Sequence, residues 1–191
     1  MKSSVTIPTG ASCALVVACA VIFAGGCQQT ARVAHPLTAE AGGNDVNTQL
    51  EFWHTLSQRP VTSNDEAFHG LLMFLDGDDP ASDYAGRVET LRARRMLPRG
   101  FDRPADEAVT RGTLAVAITR ALDIKGGLVM RTFGPTPRYA VRELRYLELY
   151  PPASSPNQTF SGAEFLGIIG RMEDHERARA GPRADAGAPT D

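Results

Sequence analysis

The side chains whose types and spacing could do chemistry fall into three groups. They are an acidic run, Asp76-Gly77-Asp78-Asp79; four histidines; and an arginine cluster, Arg92, Arg94 and Arg95 with Arg99 and Arg103 beyond. A calcium loop of the EF-hand kind starting at Asp76 needs glycine at its sixth position and glutamate at its twelfth. Ala81 and Arg87 stand there, so the run is expected to be a solvated loop. His35, His54, His69 and His175 form no H-x-x-x-H or H-E-x-x-H arrangement, and His69, beside Phe68, is expected at the surface or partly buried. No metal and no cofactor are expected. No G-x-S-x-G, Walker loop or dinucleotide fingerprint is present. Gly126-Gly127 and the LVMRTFG that follows read as a turn and a short strand or extended connector, not the strand-to-helix setting of a phosphate loop. A catalytic reading would need Asp78, Asp79, Glu143 and His69 to come together in the fold. The arginine cluster is either a solvated helix face or an electropositive patch near Arg111 that meets anionic polymer or lipid headgroups. With a formal net charge of −2 and no aromatics interleaved among the arginines, nucleic acid is not an expected partner.

The cysteines are Cys13, Cys19 and Cys27. Lys2 precedes a polar stretch, and Ala11 to Phe23 then runs apolar without a charge. Thirteen residues make roughly 20 Å of helix, short of the roughly 30 Å of a bilayer's hydrocarbon core. A short apolar region followed by small residues reads as a cleaved signal. Ala24-Gly25-Gly26-Cys27 resembles the lipobox of bacterial lipoproteins, with Ala24 where leucine is usual. The resemblance implies that Cys27 is diacylated and becomes the first residue of a lipid-anchored, palmitate-bearing envelope protein. Cys13 and Cys19 leave with the signal, so the mature chain keeps no thiol for a disulfide or a metal. Gln28 follows the cysteine where aspartate favours inner-membrane retention in enterobacterial lipoproteins, which by resemblance points to the outer membrane in an organism that has one, or else to a periplasm-facing membrane.

The organisation expected is a signal peptide over 1–26, a flexible tether over 27–44, a helical domain over 45–175 and a disordered tail over 176–191. The tether (QQTARVAHPLTAEAGGN) has few large apolar residues, and the tail (ERARAGPRADAGAPTD) has none. Between them lie about 130 residues, enough for one modest core.

That core announces itself in three stretches, NDEAFHGLLMFL from Asn64, TRGTLAVAITRAL from Thr110 and SGAEFLGIIGRM from Ser161. With Asn64, Thr110 and Ser161 in register, Phe68, Leu114 and Phe165 coincide. So do Leu71/Leu72, Ala117/Ile118 and Ile168/Ile169, then Leu75, Ala121 and Met172. The positions i, i+3, i+4 and i+7 make one apolar stripe of a helix. Each stretch opens on a good N-cap, and Ser161 with Glu164 forms a capping box. An earlier helix accompanies each: Leu50, Trp53 and Leu56; Tyr84, Val88 and Leu91; Tyr139-Ala140 with Leu144 and Leu147. Proline-bearing loops join each companion to its capped helix. The unit expected is an αα-hairpin repeated three times.

Asp83-Tyr84-Ala85, then Phe101 and Pro104, then Val109-Thr110-Arg111 resemble the S-layer homology (SLH) repeat, with its early Y/A helix, its F-x-P loop and a second helix opened by T-R-A-E. Tyr139-Ala140 and Phe160-Ser161-Gly162-Ala163-Glu164 resemble it again; the first repeat shares only its second helix. The resemblance covers Asp45 to Glu173 and implies an all-α domain of three tandem repeats packed with pseudo-threefold symmetry, docking on peptidoglycan or anionic cell-wall polymer. In the family the T-R-A-E threonine and glutamate cap the helix and the arginine helps hold glycan. Thr110 and Arg111 fit, but Gly112 and Thr113 follow. Ser161, Ala163 and Glu164 fit, but Gly162 stands at the arginine position. Asn64-Asp65 places an acid there. The ligand residues expected are therefore Arg111, Thr110, Arg92 and Arg95. The function expected is non-catalytic attachment or scaffolding at the envelope; the alternatives are an interaction module for an envelope protein that has lost the glycan site, and an enzyme with an unrecognised site.

Overall fold

The computed structural model describes residues 31–38 and 43–181. Cys27, the signal segment and the tail beyond Gly181 lie outside the described residues.

The described chain is all-α. Its helices are α1 (Val46–Ser57), α2 (Asn64–Asp76), α3 (Tyr84–Ala93), α4 (Arg111–Ala121), α5 (Leu128–Phe133), α6 (Pro137–Tyr146) and α7 (Gly162–Ala180). Extended pairing among the described residues is limited to isolated bridges, Arg32 with Glu107, Ser63 with Ala108 and Thr110 with Thr159.

Side-chain oxygens start most of the helices. Asp45, Asp83 and Thr110 accept N–H groups of the first turns of α1, α3 and α4. Ser63–Glu66 and Ser161–Glu164 form full capping boxes on α2 and α7. The cap of α2 is Ser63, not Asn64, so its register runs one residue earlier than the sequence suggested. A serine next to an asparagine offers two candidate caps, and Glu66 three residues on selects the serine.

The stripes of α2, α4 and α7 meet at the centre. Phe68, Leu71, Leu72, Leu114, Ala117, Ile118, Phe165, Ile168 and Met172 are all buried there. Ile169 is 8% exposed, Leu72 and Ile118 not at all. The companions depart from expectation at Tyr139 of α6, which is exposed, and at one turn of α1. On α1 it is Phe52 that is sealed, with Leu56, while Leu50 is 63% exposed.

The helix pairs also differ from the expected hairpins. The extensive contacts are α2 with α3, α4 with α6 and α1 with α7. Each capped helix thus packs on the companion that follows it, and α7 closes the body against α1. Connection length alone does not choose the pairs, since residues 58–63 between α1 and α2 are fewer than residues 77–83 between α2 and α3. The proline-bearing loops instead lie against the starts of the capped helices.

Those loops carry the hydrogen bonds that join the three capped helices. The first N–H of α2, on Asn64, donates to Glu107 O at 2.8 Å. The first of α4, on Arg111, donates to Gln158 O at 2.7 Å, and the first of α7, on Gly162, to Arg59 O at 2.9 Å. Each capped helix therefore gives its leading donor to the loop that enters another of the three, and the series closes on itself.

Two expected boundaries move. Over residues 31–38 the tether is part of the body. Val33 and Leu37 are buried, Val33 N–H donates to Asp106 O at 2.8 Å, and Leu37 N–H donates to Glu66 Oε1 at 3.1 Å. At the other end α7 continues through 176–180, inside the expected tail, and Arg179 donates to Leu122 O. Arg177 and Arg179 in its last turn suit the negative end of the helix dipole. The segment after Gly127 is the short helix α5, neither strand nor extended connector.

Candidate functional site

Thr110 and Arg111 are committed to the fold. Thr110 Oγ1 caps Thr113 N–H at 3.2 Å. The N–H groups of Arg111 and Gly112 go to Gln158 O and Pro156 O, so the first two donors of α4 are already taken. The Arg111 side chain is also consumed. It donates to Glu164 Oε1 at 2.7 Å, Ser154 Oγ at 2.6 Å and Thr159 O at 3.3 Å. The guanidinium lies 4.9 Å from the Phe160 ring centroid. Arg111 is 8% exposed. The expectation of a surface arginine offering its fork to glycan is corrected: Thr110 and Arg111 tie α4 to the loop and helix that follow. Glu164 is held below the usual carboxylate range first by the Ser161 backbone N–H, then, against the opposing effect of burial, by Arg111.

The corresponding first position of α7 is Gly162. A Cβ there would lie 1.6 Å from Leu56 O. No side chain fits, so the missing arginine is a packing requirement of this junction.

A second group, of which the sequence offered only His69 and Asp79 as possible neighbours, lies buried between α2 and α3. Asp79 Oδ2 accepts from His69 Nδ1 at 2.6 Å and from Arg87 Nε at 2.5 Å. Arg87 reaches Asp65 Oδ1 at 2.6 Å, and Asp65 also accepts from Thr38. His69, expected at the surface or partly buried, is interior, and Asp79, though it lies in the loop after α2, is buried and not solvated. Since a carboxylate only accepts, Nδ1 carries the imidazole proton. His69 Nε2 is then buried without a partner among the described residues. Burial drives the Asp79 carboxyl upward, yet the bonds from His69, Arg87 and Ala81 overcome it and hold it low. Asp78, next door, is exposed, and Glu143 sits on α6 without an ion pair among the described residues. The four residues a catalytic site would need are therefore only half assembled, and that half is sealed. Among the described residues no histidine, cysteine or carboxylate group has the makings of a metal site.

The third group is open to solvent. A cleft of about 620 Å³ lies between the loop after α3, the outer side of α4 and the turn after α5. Arg92, Arg95, Arg99 and Arg120 line it together with Phe101 and Phe133, and no carboxylate does. None of the four arginines has an acid within 4 Å among the described residues. Arg92 donates only to Phe101 O, at 3.4 Å. The sequence cluster is thereby sorted. Arg94 is paired with Asp76 at 2.7 Å and Arg103 with Glu107 at 2.9 Å, leaving Arg92, Arg95 and Arg99 free. Arg95 has φ 58, the left-handed turn that ends α3 and lets Met96 and Leu97 enter the core. Arg120 and Phe133 were missed. Arg120 hides inside an apolar helix run, and Phe133 lay in a segment read as extended.

Comparison with protein-family profiles, curated proteins and solved structures finds no match. Among the described residues no helix is long and apolar enough to cross a membrane.

Proposed function

We propose that this chain is a non-catalytic envelope lipoprotein, anchored through Cys27, whose three-unit helical domain serves attachment or scaffolding. What supports the three-unit part of the reading is the closed series of bonds from Asn64, Arg111 and Gly162 N–H groups to the loops entering the other capped helices. Equivalent atoms in three successive segments do the same work, as in a pseudo-threefold array of SLH-like repeats. In that array the capping residues Ser63, Thr110 and Ser161 are equivalent, and the arginine slot holds Asn64, Arg111 and Gly162.

Glycan binding through that slot loses support, because its one arginine is spent on Glu164, Ser154 and Thr159. The reading of an interaction module with an altered contact surface gains by the same observation. The surface left for an anionic partner is the arginine cleft. Four exposed guanidiniums with no acid beside them among the described residues give the cleft a positive potential that favours an anionic partner.

Two measurements test the reading. Cys27→Ser should move the chain out of the detergent phase, and unchanged partitioning removes the anchor. Sedimentation with isolated sacculi then separates the binding modes. Retention lost in Arg92→Gln/Arg95→Gln but kept in Arg111→Lys places wall polymer in the cleft; no retention leaves the interaction module.

A further inference from the structure

The cleft does not stand alone. Phe133 ends α5, whose solvent side also carries Leu128 at its start, 73% and 80% exposed respectively, while Met130 is buried. Phe133 belongs to the cleft wall itself. Large aliphatic and aromatic side chains held in water beside unpaired cations mark an interaction surface. The pairing of chemistries selects the partner. A glycan acid would answer the arginines and could stack on Phe133, but it offers nothing to Leu128. An anionic bilayer answers both, phosphates for guanidinium forks and the outer acyl layer for the apolar tips.

We propose that the arginine cleft and the outward side of α5 form one face that lies on an anionic phospholipid surface, with Arg92, Arg95, Arg99 and Arg120 on the phosphates and Leu128 and Phe133 at the acyl boundary. The proposal rests on the reading that the cleft, rather than the slot of Arg111, is the contact surface. It gives the lipid anchor a second attachment, and a basic surface combined with acyl chains binds anionic leaflets far more firmly than a single chain does. The domain would then lie flat on its membrane with α5 down.

The test uses the full chain, purified from host membranes, carrying Phe133→Trp and reconstituted into vesicles whose phosphatidylcholine is brominated in the acyl chains. The unsubstituted chain corrects for Trp53, the only native tryptophan. Extra quenching of the new indole is expected when phosphatidylglycerol is included and not in phosphatidylcholine alone. It should vanish when the four arginines become Gln, fall with Leu128→Ser, and weaken with added salt. Circular dichroism unchanged from the parent establishes that each variant folds. Quenching that ignores phosphatidylglycerol, survives the loss of the arginines or never occurs overturns the proposal. So does retention on sacculi through the same arginines without quenching, which assigns the cleft to wall polymer. If the chain leaves the vesicles because Cys27 is not acylated, the anchor reading fails separately. The free chain is then spun with the same vesicles: sedimentation only with phosphatidylglycerol upholds the face, and its absence refutes it.

Discussion

The Arg111 guanidinium donates to the Glu164 carboxylate across 2.7 Å, linking the first turn of α4 to the capping box of α7. Glu164 already accepts the Ser161 N–H at 3.0 Å, so one carboxylate caps its own helix and holds the neighbouring one. Arg111→Ala removes the ion pair, the Ser154 bond and the contact with Phe160, but leaves Glu164 partly solvated. The expected cost is about 1–3 kcal/mol in urea unfolding, the range for lost hydrogen bonds to charged groups. A double-mutant cycle with Glu164→Ala should return a coupling of about 0.5–3 kcal/mol. Additive losses would show that the pair contributes little.

Asp79 is the hinge of the second network, because it accepts from His69 and Arg87 at once. Asp79→Asn leaves Arg87 with only Asp65 as a charged partner, and its amide hydrogens face either the two donors at the Oδ2 position or the Ala81 N–H at the Oδ1 position. Breaking a buried pair from one side costs about 3–5 kcal/mol. That is a large part of the roughly 5–15 kcal/mol that holds a typical domain. Thermal unfolding checks it; a variant as stable as the parent would mean that the charges barely offset their desolvation.

The core makes a plainer forecast. Leu72, Ile118 and Ile169 lie in the stripes of α2, α4 and α7, and trimming any one to alanine should cost about 2–5 kcal/mol. Ile169, at 8% exposure, should sit at the low end. Ile169→Ala as costly as Ile118→Ala would show tighter packing at that edge than its exposure implies.

The stripes were legible because they are local: Phe68, Leu71, Leu72 and Leu75 announce one face at helical spacing, and Ser161 with Glu164 announces a start, whereas Asn64 masked the true cap Ser63. The pairing of helices was not, because hydrophobic period says which face is buried and nothing about the neighbour that buries it. Long-range polar contacts escaped for the same reason. His69 and Asp79 are ten residues apart across a turn, and nothing in a solvated-looking acidic run signals that one of its aspartates points inward. Arg111 was read from its motif as a ligand residue, and only its distance to Glu164 reveals a structural tie. Of the cleft, Arg92 and Arg95 were visible as local charge; Arg120 and Phe133 join them only through the fold.

Gly162 offers a sharp test of the junction between α7 and the end of α1. A Cβ at this position would lie 1.6 Å from Leu56 O, a clash with backbone that no rotamer relieves. Gly162→Ala should therefore destabilise the chain despite alanine's better helix propensity, which alone favours it by about 1 kcal/mol. Gly170, in the same helix with open space around its Cβ, is the control. Gly170→Ala should hold or raise the melting temperature. If both changes act alike, the close approach of α7 to Leu56 O is not present in solution.

Acid should loosen the domain through the two carboxylates that bridge its elements. Asp79 and Glu164 are both held below their ordinary values of 3.8 and 4.5. A depressed folded value means that the unfolded chain binds the proton more readily, so stability rises with pH across that window. The contribution is fully present above the ordinary carboxylate range and is lost as pH falls through the folded values. Asp79 is sealed and should dominate. Glu164, with its side chain 45% exposed, is screened by water and should add less. Melting curves followed by circular dichroism from neutral to strongly acid pH should show the parent losing stability below the ordinary carboxylate values. Asp79→Asn should start lower and fall less steeply over the same interval, because its amide has no proton to gain. An Asp79→Asn curve parallel to the parent's would assign the acid sensitivity to other carboxylates and leave the His69–Asp79–Arg87 network without a share in it.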